Sequence, residues 1–549
     1  MVFEIFSQSS ILPVLFQEIF LLQFPNIYTQ YNFIILVESL IYIYASFLAG
    51  SFLLGKIGLD LNSQLKRMAY SVMSGYAIFG IYGMLLAVAG LFEPVYLRAF
   101  LALIVLGSAR TIVRHVTGFF AADYSKEKII QRLKAAADGA LFLKLLIALW
   151  IVVNFAVVLV PITGHDTLDY HLPIIMNLIN EGRMNFDTAL PSRFLPIFGE
   201  VIYAAPIAIF GNLAEPFVFQ VMQYSFLILF AILIYEFLKP RISNRFLGLA
   251  AVLLLFSIMD FQREIMHGGY IDVLAFLFGS ASALLLIENC CDANMRPKEL
   301  ALSALMLGVA LGVKYLALVF AAINFLFLLV MFWRKKFDYG AAAKWLAGYG
   351  LIVFIVSGFW YVKNLVLFGS PIYPMFSSKL FTSQVNMFLL DRTFLNFFWF
   401  PFYRYGQWFV QEVETSSRLV VLGYFIAAYI LFIIFFFSKK IRAEGVLLFV
   451  FAQLYLLFLF FMSHQYRFLL PANIILVPLL ILFIDQAYQF LKTKLSENLY
   501  SGFKKASLLA MSAVFALLFL ANIHYFHVKF MYATGIYNQD EYRIEVGGF

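Results

Sequence analysis

Runs of about twenty apolar residues recur along the whole chain, and they constrain its fold more than any other feature. Each run is long enough to cross a hydrocarbon core about 30 Å thick as an α-helix. Of the 549 residues, 63% are hydrophobic and only 13% are charged, about half of the charged fraction of a typical soluble protein. The sequence therefore predicts an all-α polytopic membrane protein with about 13–14 transmembrane helices.

The predicted spans alternate with short segments that carry most of the lysine and arginine residues. By the positive-inside bias, these basic segments are assigned to the cytoplasm. They also account for the net charge of +8, so the basic balance does not indicate a nucleic-acid partner. The predicted spans are 33–55, 68–90, 94–112, 139–160, 214–238, 246–259, 270–288, 300–313, 316–333, 345–367, 418–438, 445–463, 467–490 and 506–523.

This topology divides the chain into an N-terminal part, a cytoplasmic loop, a transmembrane core and a short external tail. The N-terminal part contains an interfacial segment and three leading helices, and the core carries two large external loops. These parts are residues 1–112, 113–138, 139–535 with external loops 161–213 and 368–417, and 536–549. Residues 197–212 are apolar but too short for a comfortable span, so we expect a re-entrant or juxtamembrane helical hairpin buried against protein.

The stretch "GHDTLDYHLP", residues 164–173, crowds ionisable side chains where a predicted span ends. After Pro173, apolar residues recur at helical spacing, which predicts an amphipathic helix on the outer membrane surface. Asp166 and Asp169 then lie at the mouth of the bundle, where a carboxylate can deprotonate an acceptor while a lipid-linked substrate stays in the bilayer. The alternative is that these acids are only a solvated loop end or a helix N-cap.

Further ionisable residues are predicted on the same external side. Asp272, Arg263 and His267 come from the loop "DFQREIMHGGYID", and an acid at the start of a span is a functional candidate by default. For Asp272 the alternative is an N-cap or a structural ion pair. Lys314 falls between two apolar runs with no room for a long loop, so it faces protein, water or lipid phosphate, or snorkels from a tight external turn.

Two later segments complete the external face. "WYVKNLVLFGSPIYPMF" ends a span at Asn364 and turns through Tyr373 and Pro374. "HQYRFLLPA" places Arg467 at another helix end, where its planar fork suits phosphate oxygens; the alternative is interfacial snorkelling. Acids from two loops and cations from three others are together what glycosyl transfer with a phosphate leaving group requires.

These motifs resemble those of the GT-C superfamily, integral membrane glycosyltransferases that take sugars from polyprenyl-phosphate donors. The similarity is to the branch of protein O-mannosyltransferases and the aminoarabinose transferase, and it extends over residues 139–535 in the expected order. It implies a GT-C-like bundle with an external active site and inversion at the anomeric carbon. The matching positions are Asp166, Tyr170, His171 and Pro173 in the first motif, then Asp272, Lys314, Asn364, Tyr373, Pro374 and Arg467.

The chain departs from the family pattern in three places. The leading helices within residues 33–112 precede the usual first helix, and Phe468 stands where the family has tyrosine. The first motif reads Asp-Thr rather than a pair of acids, which disfavours a metal between two adjacent carboxylates. No cofactor is assured, and a divalent cation stays open.

The sequence therefore predicts a glycosyltransferase that acts on the periplasmic face of a bacterial inner membrane. Asp166 is the expected general base, and Asp272 is expected to assist it electrostatically. Asp169 is the second candidate for the general base. Tyr170, His171, Lys314, Asn364, Tyr373, Arg467, Arg263 and His267 are the candidate ligands of substrate or donor phosphate. The expected partners are membrane lipids, a polyprenyl-phosphate sugar and a glycan, lipid or protein acceptor. The alternative is a lipid-linked-sugar flippase or another transporter, whose polar sites would lie nearer the membrane midplane.

Overall fold

A computed structural model describes most of the chain, and every regular element in the described part is a helix. The described residues are 30–121, 128, 140–158, 160, 162, 164–186, 193–211, 217–266, 268–375, 393, 395–397, 415–438, 441–462 and 466–533. The predicted N-terminal interfacial segment, most of the external loop 368–417 and the tail 536–549 lie outside them.

In the described part of the chain, the first ten α-helices are α1 Gln30–Lys56, α2 Gln64–Ala89, α3 Pro94–Gly107, α4 Ala109–Ala121, α5 Leu141–Val158, α6 Leu172–Glu181, α7 Phe198–Phe210, α8 Phe217–Leu238, α9 Arg245–Phe256 and α10 Met259–Met266. They are followed by α11 Asp272–Cys291, α12 Pro297–Val313, α13 Ala317–Arg334, α14 Tyr339–Phe368, α15 Thr415–Phe437, α16 Ala443–Met462, α17 Leu470–Lys494, α18 Glu497–Tyr525 and α19 His527–Ala533.

Each of the fourteen predicted spans corresponds to a helix or a bent helix pair. Among the described residues, 10 helices are long and apolar enough to cross a membrane, or up to 12 if each of two bent pairs is one span. The bent pairs are α3–α4 and α9–α10, each with an angle of 61°. The chain is thus an all-α polytopic membrane protein.

Helix α11 lies at the centre of the bundle. Every residue from Asp272 to Cys290 is buried, and the helix packs against α8, α12, α13 and α16. A helix surrounded on all sides by protein needs no polar face, which explains its nearly uniform apolar sequence. Its 20 residues span about 30 Å, so its two ends mark the two ends of the bundle.

One end of the bundle gathers the basic segments that the sequence assigns to the cytoplasm. Glu288, near the end of α11, pairs with Lys66 at 2.5 Å and with Arg241 at 3.3 Å. Arg241 also lies 3.5 Å from Glu444, the second residue of α16. Three predicted loops therefore meet at this end, as the predicted topology requires, and the ion pairs connect α2, α11 and α16 with the segment between α8 and α9.

The three leading helices pack directly on the core. Gly80 and Gly83 let α2 approach α7 so closely that an added Cβ would meet Ile202 at 2.6 Å and Val201 at 3.0 Å. The Tyr76 hydroxyl lies 2.9 Å from Ser225 Oγ on α8. These helices are therefore part of the same bundle as the helices that follow.

The structure corrects three local predictions. The described part of the predicted hairpin 197–212 is a single helix instead: α7 has 13 residues, is almost wholly buried, and is about 20 Å long, too short for a 30 Å core. The predicted external loop from Asp260 is helical over Met259–Met266, because Phe261, Ile265 and Met266 form a buried apolar face. Helix α4 also continues to Ala121, into the segment predicted as the loop 113–138.

Candidate functional site

Two acid–cation pairs meet at the end of the bundle opposite the basic loops. Arg467 Nη1 lies 2.5 Å from Asp166 Oδ2, and Lys314 Nζ donates to Asp272 Oδ1. The ring of Phe468 is close to both cations, with its centroid 5.2 Å from Lys314 Nζ and 5.2 Å from Arg467 Cζ. The two cationic groups are therefore separated by no more than twice that distance, and four residues predicted from four separate segments lie together.

Helix ends hold these four side chains. Asp166 starts the π-helical turn Thr167–His171, which runs directly into α6. Asp272 is the first residue of α11, and Lys314 directly follows α12. Arg467 lies in the short 3-10 turn Tyr466–Leu469 before α17. Each of the four charged side chains thus lies where a helix begins or ends.

The pairs differ in accessibility. The Asp272 side chain is 0% exposed, whereas Lys314 and Arg467 are each 22% exposed and Asp166 is 20% exposed. Asp272 Oδ2 is buried and has no hydrogen-bond partner in the part of the chain that the structure describes, and Lys314 is the cation paired with this carboxylate. The side chains of Asp166, Lys314 and Arg467 are therefore accessible to a ligand, whereas the Asp272 side chain is not.

Tyr170 packs beside Asp166. Its hydroxyl donates to Asp166 Oδ2 at 3.4 Å, and its ring centroid lies 4.1 Å from that of His171. Burial raises the pKa of the Tyr170 phenol well above its ordinary value, and the charges of Asp166 and Asp272 raise it further. Tyr170 therefore remains a protonated hydrogen-bond donor near neutral pH.

His171 pairs with a buried acid that the sequence did not single out as a site residue. Its Nδ1 lies 2.8 Å from Glu200 Oε1 on α7, and both side chains are 2% exposed. Among the described residues, neither the second ring nitrogen of His171 nor the second carboxylate oxygen of Glu200 has a hydrogen-bond partner. This geometry makes the pair an anchor between the first motif and α7, rather than an exposed ligand of the donor phosphate.

Replacing Glu200 tests that anchor. Glu200→Leu leaves the buried His171 Nδ1 without a partner, and we expect a loss of about 1–3 kcal/mol of stability. Thermal unfolding of the purified full chain in lipid nanodiscs measures the loss, and Glu200→Gln, which keeps an acceptor, should lose less. Unchanged midpoints in both variants would show that the pair does not anchor the motif.

A second contact fixes the first motif to the loop before α11. Thr167 Oγ1 donates to the Gly268 carbonyl at 2.7 Å. Gly269 has φ +80, and a Cβ there would meet Thr167 Cγ2 at 2.2 Å. Only glycine accommodates both the left-handed backbone and this close approach.

Gly269→Ala is expected to disrupt the site more than an alanine at a glycine in open space. Gly369 is the matched control, because it has φ +71 and nothing within 4 Å of an added Cβ. Both substitutions cost about 1–2 kcal/mol of backbone strain, and only the first adds a clash with Thr167. Thermal midpoints of the two variants measure the difference, and equal midpoints would contradict the close contact.

Asn364 and Tyr373 brace the turn that carries Lys314. Asn364 Nδ2 donates to the Phe194 carbonyl at 2.6 Å and to the Tyr373 carbonyl at 3.1 Å, and it also donates to the Tyr315 hydroxyl. The Tyr315 hydroxyl lies 3.0 Å and 2.9 Å from the same two carbonyls. Asn364 is fully buried. Its contacts hold Tyr315, and with it the turn that carries Lys314, against the carbonyls of Phe194 and Tyr373. Tyr315 was not predicted, although it directly follows Lys314.

The sequence also predicts Asp169, Arg263 and His267 as site residues. Asp169 is 55% exposed and pairs with His165 Nε2 at 3.1 Å. Arg263 lies half-buried on α10, and its charge acts on the nearby Tyr270 phenol. His267 lies outside the described residues.

The described residues contain no group of three or more His, Cys, Asp or Glu side chains that could hold a metal ion. The two acid–cation pairs supply two carboxylates, an ammonium and a guanidinium. Together they provide a candidate proton acceptor beside two candidate anion-binding groups.

The fold and site define an all-helical, multi-pass membrane protein with a polar charged centre at one end of its bundle. A family profile described as the DUF1420 N-terminal domain matches residues 106–256. Among solved structures, the chain is similar to ArnT from Cupriavidus metallidurans, whose crystal structure holds undecaprenyl phosphate. The two are 14% identical, with 75% of this chain and 77% of that chain covered and a TM-score of 0.45. No curated protein matches the sequence.

Proposed function

We propose that the protein is a membrane glycosyltransferase that moves a sugar from a polyprenyl-phosphate donor to an acceptor at the external end of the bundle. The proposal rests on two neighbouring ion pairs, Asp166–Arg467 and Asp272–Lys314. The cations of both pairs lie close to the ring of Phe468. The order of the sequence motifs, which resembles that of GT-C enzymes, supports the same assignment.

In the proposed mechanism, Asp166 is the general base. Its carboxylate takes the proton of the acceptor hydroxyl or amine as the acceptor attacks the anomeric carbon. The bond between that carbon and the phosphate oxygen breaks, and the electron pair leaves with polyprenyl phosphate. Attack opposite the leaving group inverts the anomeric configuration.

The cations act on the leaving group. Arg467 presents a planar fork suited to two phosphate oxygens, and Lys314 adds a compact point charge. Each of these cations is paired with a carboxylate in the structure. A phosphate bound to Arg467 would weaken its pair with Asp166 and so partly release Asp166 for proton transfer. Tyr170, which stays protonated, donates to the same carboxylate and orients it.

The site has no need of a resident cofactor for these steps, and a divalent cation as an additional phosphate ligand stays open. The proposed location is a bacterial inner membrane, with the site facing the periplasm. The acceptor class, whether glycan, lipid or protein, is left to experiment.

A reconstitution assay tests the function. The full chain in proteoliposomes is supplied with a panel of labelled polyprenyl-phosphate sugars, and release of polyprenyl monophosphate is followed. We expect release with at least one donor and its loss in Arg467→Met. Movement of intact donor between leaflets, without release from any donor, would favour the flippase and reject the transferase.

A further inference from the structure

A groove separates the outer end of α2 from α14, away from the two acid–cation pairs. Its volume is about 880 Å³, within the range of ligand-binding clefts. Residues 87–90 form one wall, and Phe354, Gly358, Val362 and Val366 line the other. Gly358 has no side chain to occupy the groove that it lines, and the nearest atoms to an added Cβ there are those of the Phe354 ring, at 2.7 Å.

Lys363 lines the groove from within a membrane-spanning helix. It is 8% exposed, and its ammonium donates to the Arg193 carbonyl at 3.1 Å. Nζ also lies 5.0 Å from the ring of Phe186 and 5.5 Å from that of Trp360. An ammonium has three donors, and an ionisable residue inside a span is a functional candidate by default.

A second cation lines the same groove. Arg183 follows the C-terminal end of α6 and is exposed. Within the described residues, no carboxylate forms an ion pair with Arg183 or Lys363; the adjacent Glu181 accepts instead from Asn185 at 2.9 Å. The groove therefore combines apolar walls with two positive charges whose acidic partners are absent from the described part of the chain.

We propose that this groove binds one anionic glycerophospholipid. An acyl chain lies along the apolar walls, and the head-group phosphate accepts from Lys363 and Arg183. A zwitterionic lipid would bring its own ammonium toward these two cations, so an anionic head group is favoured. Clusters of basic residues beside membrane spans recognise anionic lipids in this way.

The occupant differs from the proposed carrier substrate. Asn364, the next residue after Lys363, turns toward Phe194 and Tyr315 on the side of Lys314. The groove instead opens against α2, one of the leading helices that the GT-C resemblance leaves without a role. The bound lipid would lie between the leading helices and the core, whatever reaction the chain performs.

Native mass spectrometry of the full chain released from nanodiscs tests the proposal. The discs contain phosphatidylcholine with a small fraction of phosphatidylglycerol, and retained lipids are counted. We expect phosphatidylglycerol to be enriched about thirtyfold in one retained copy. Lys363→Gln combined with Arg183→Gln should abolish the enrichment, and Gly358→Leu, which fills the groove without changing charge, should displace the lipid.

Lys344→Gln is the matched control, because it removes an exposed charge from the other end of α14 and should leave the enrichment intact. Equal retention of both lipids by the wild type, or enrichment that survives both groove variants, would overturn the proposal. Displacement of phosphatidylglycerol by equimolar polyprenyl monophosphate, with the same dependence on Lys363, would assign the groove to the carrier and also overturn it.

Discussion

Asp166→Asn is expected to lower the rate of sugar transfer by about 10²–10⁴-fold, the usual contribution of a general base. The amide keeps the shape of the side chain but cannot accept a proton from the acceptor. Polyprenyl monophosphate should bind this variant at least as tightly as the wild type, because Arg467 loses the carboxylate that competes with phosphate. Donor turnover and lipid binding, measured on the same preparation, separate the two effects.

Asp169→Asn is the matched control. It makes the same chemical change three residues away, on a side chain that is 55% exposed and pairs with His165. We expect turnover within about twofold of the wild type, as for a surface pair of little energetic weight. Equal loss in both variants would assign the effect to the motif as a whole, and full activity of Asp166→Asn would remove Asp166 from catalysis.

Lys314→Met is expected to cost about 3–5 kcal/mol of stability, because it leaves the fully buried Asp272 carboxylate without its main partner. Adding Asp272→Asn removes that buried charge, so the double variant should recover most of the loss. Activity should not recover, because the phosphate-binding ammonium is still absent. Thermal unfolding in nanodiscs and donor turnover provide the two measurements.

Lys344→Met controls for the loss of a lysine from the chain, since this exposed residue should change stability by less than about 0.5 kcal/mol. A Lys314→Met protein as stable as the wild type would show that Asp272 does not depend on this partner. A double variant no more stable than Lys314→Met would show that the loss has another cause.

The apolar runs predict the helices well, because a span in lipid must satisfy its backbone within itself and needs about twenty apolar residues to do so. The positions of Lys66 and Arg241 likewise predict which loops meet, since charges cannot enter the hydrocarbon. Asp166, Asp272, Lys314 and Arg467 could be found for the same reason: each interrupts an apolar run where a span begins or ends.

Other features depend on packing that no local pattern records. Glu200 lies in an apolar run and appears as an isolated acid until α7 brings it against His171. The α9–α10 bend was hidden because the residues after Asp260 look like a polar loop, although Phe261 and Ile265 are buried. Asp169 and Asp166 have the same chemistry and neighbouring positions, and the sequence does not show that Asp166 pairs with Arg467 while Asp169 pairs with His165.

Sided vesicles provide the most direct test of the central claim, that the acid–cation centre opposite the basic loops transfers sugar outside the membrane. A water-soluble, short-chain prenyl-phosphate sugar is added to right-side-out and inverted vesicles containing the full chain, and release of prenyl monophosphate is measured. We expect release in right-side-out vesicles and none in sealed inverted ones. Release confined to inverted vesicles, or absent from both with every donor in the panel, would contradict it.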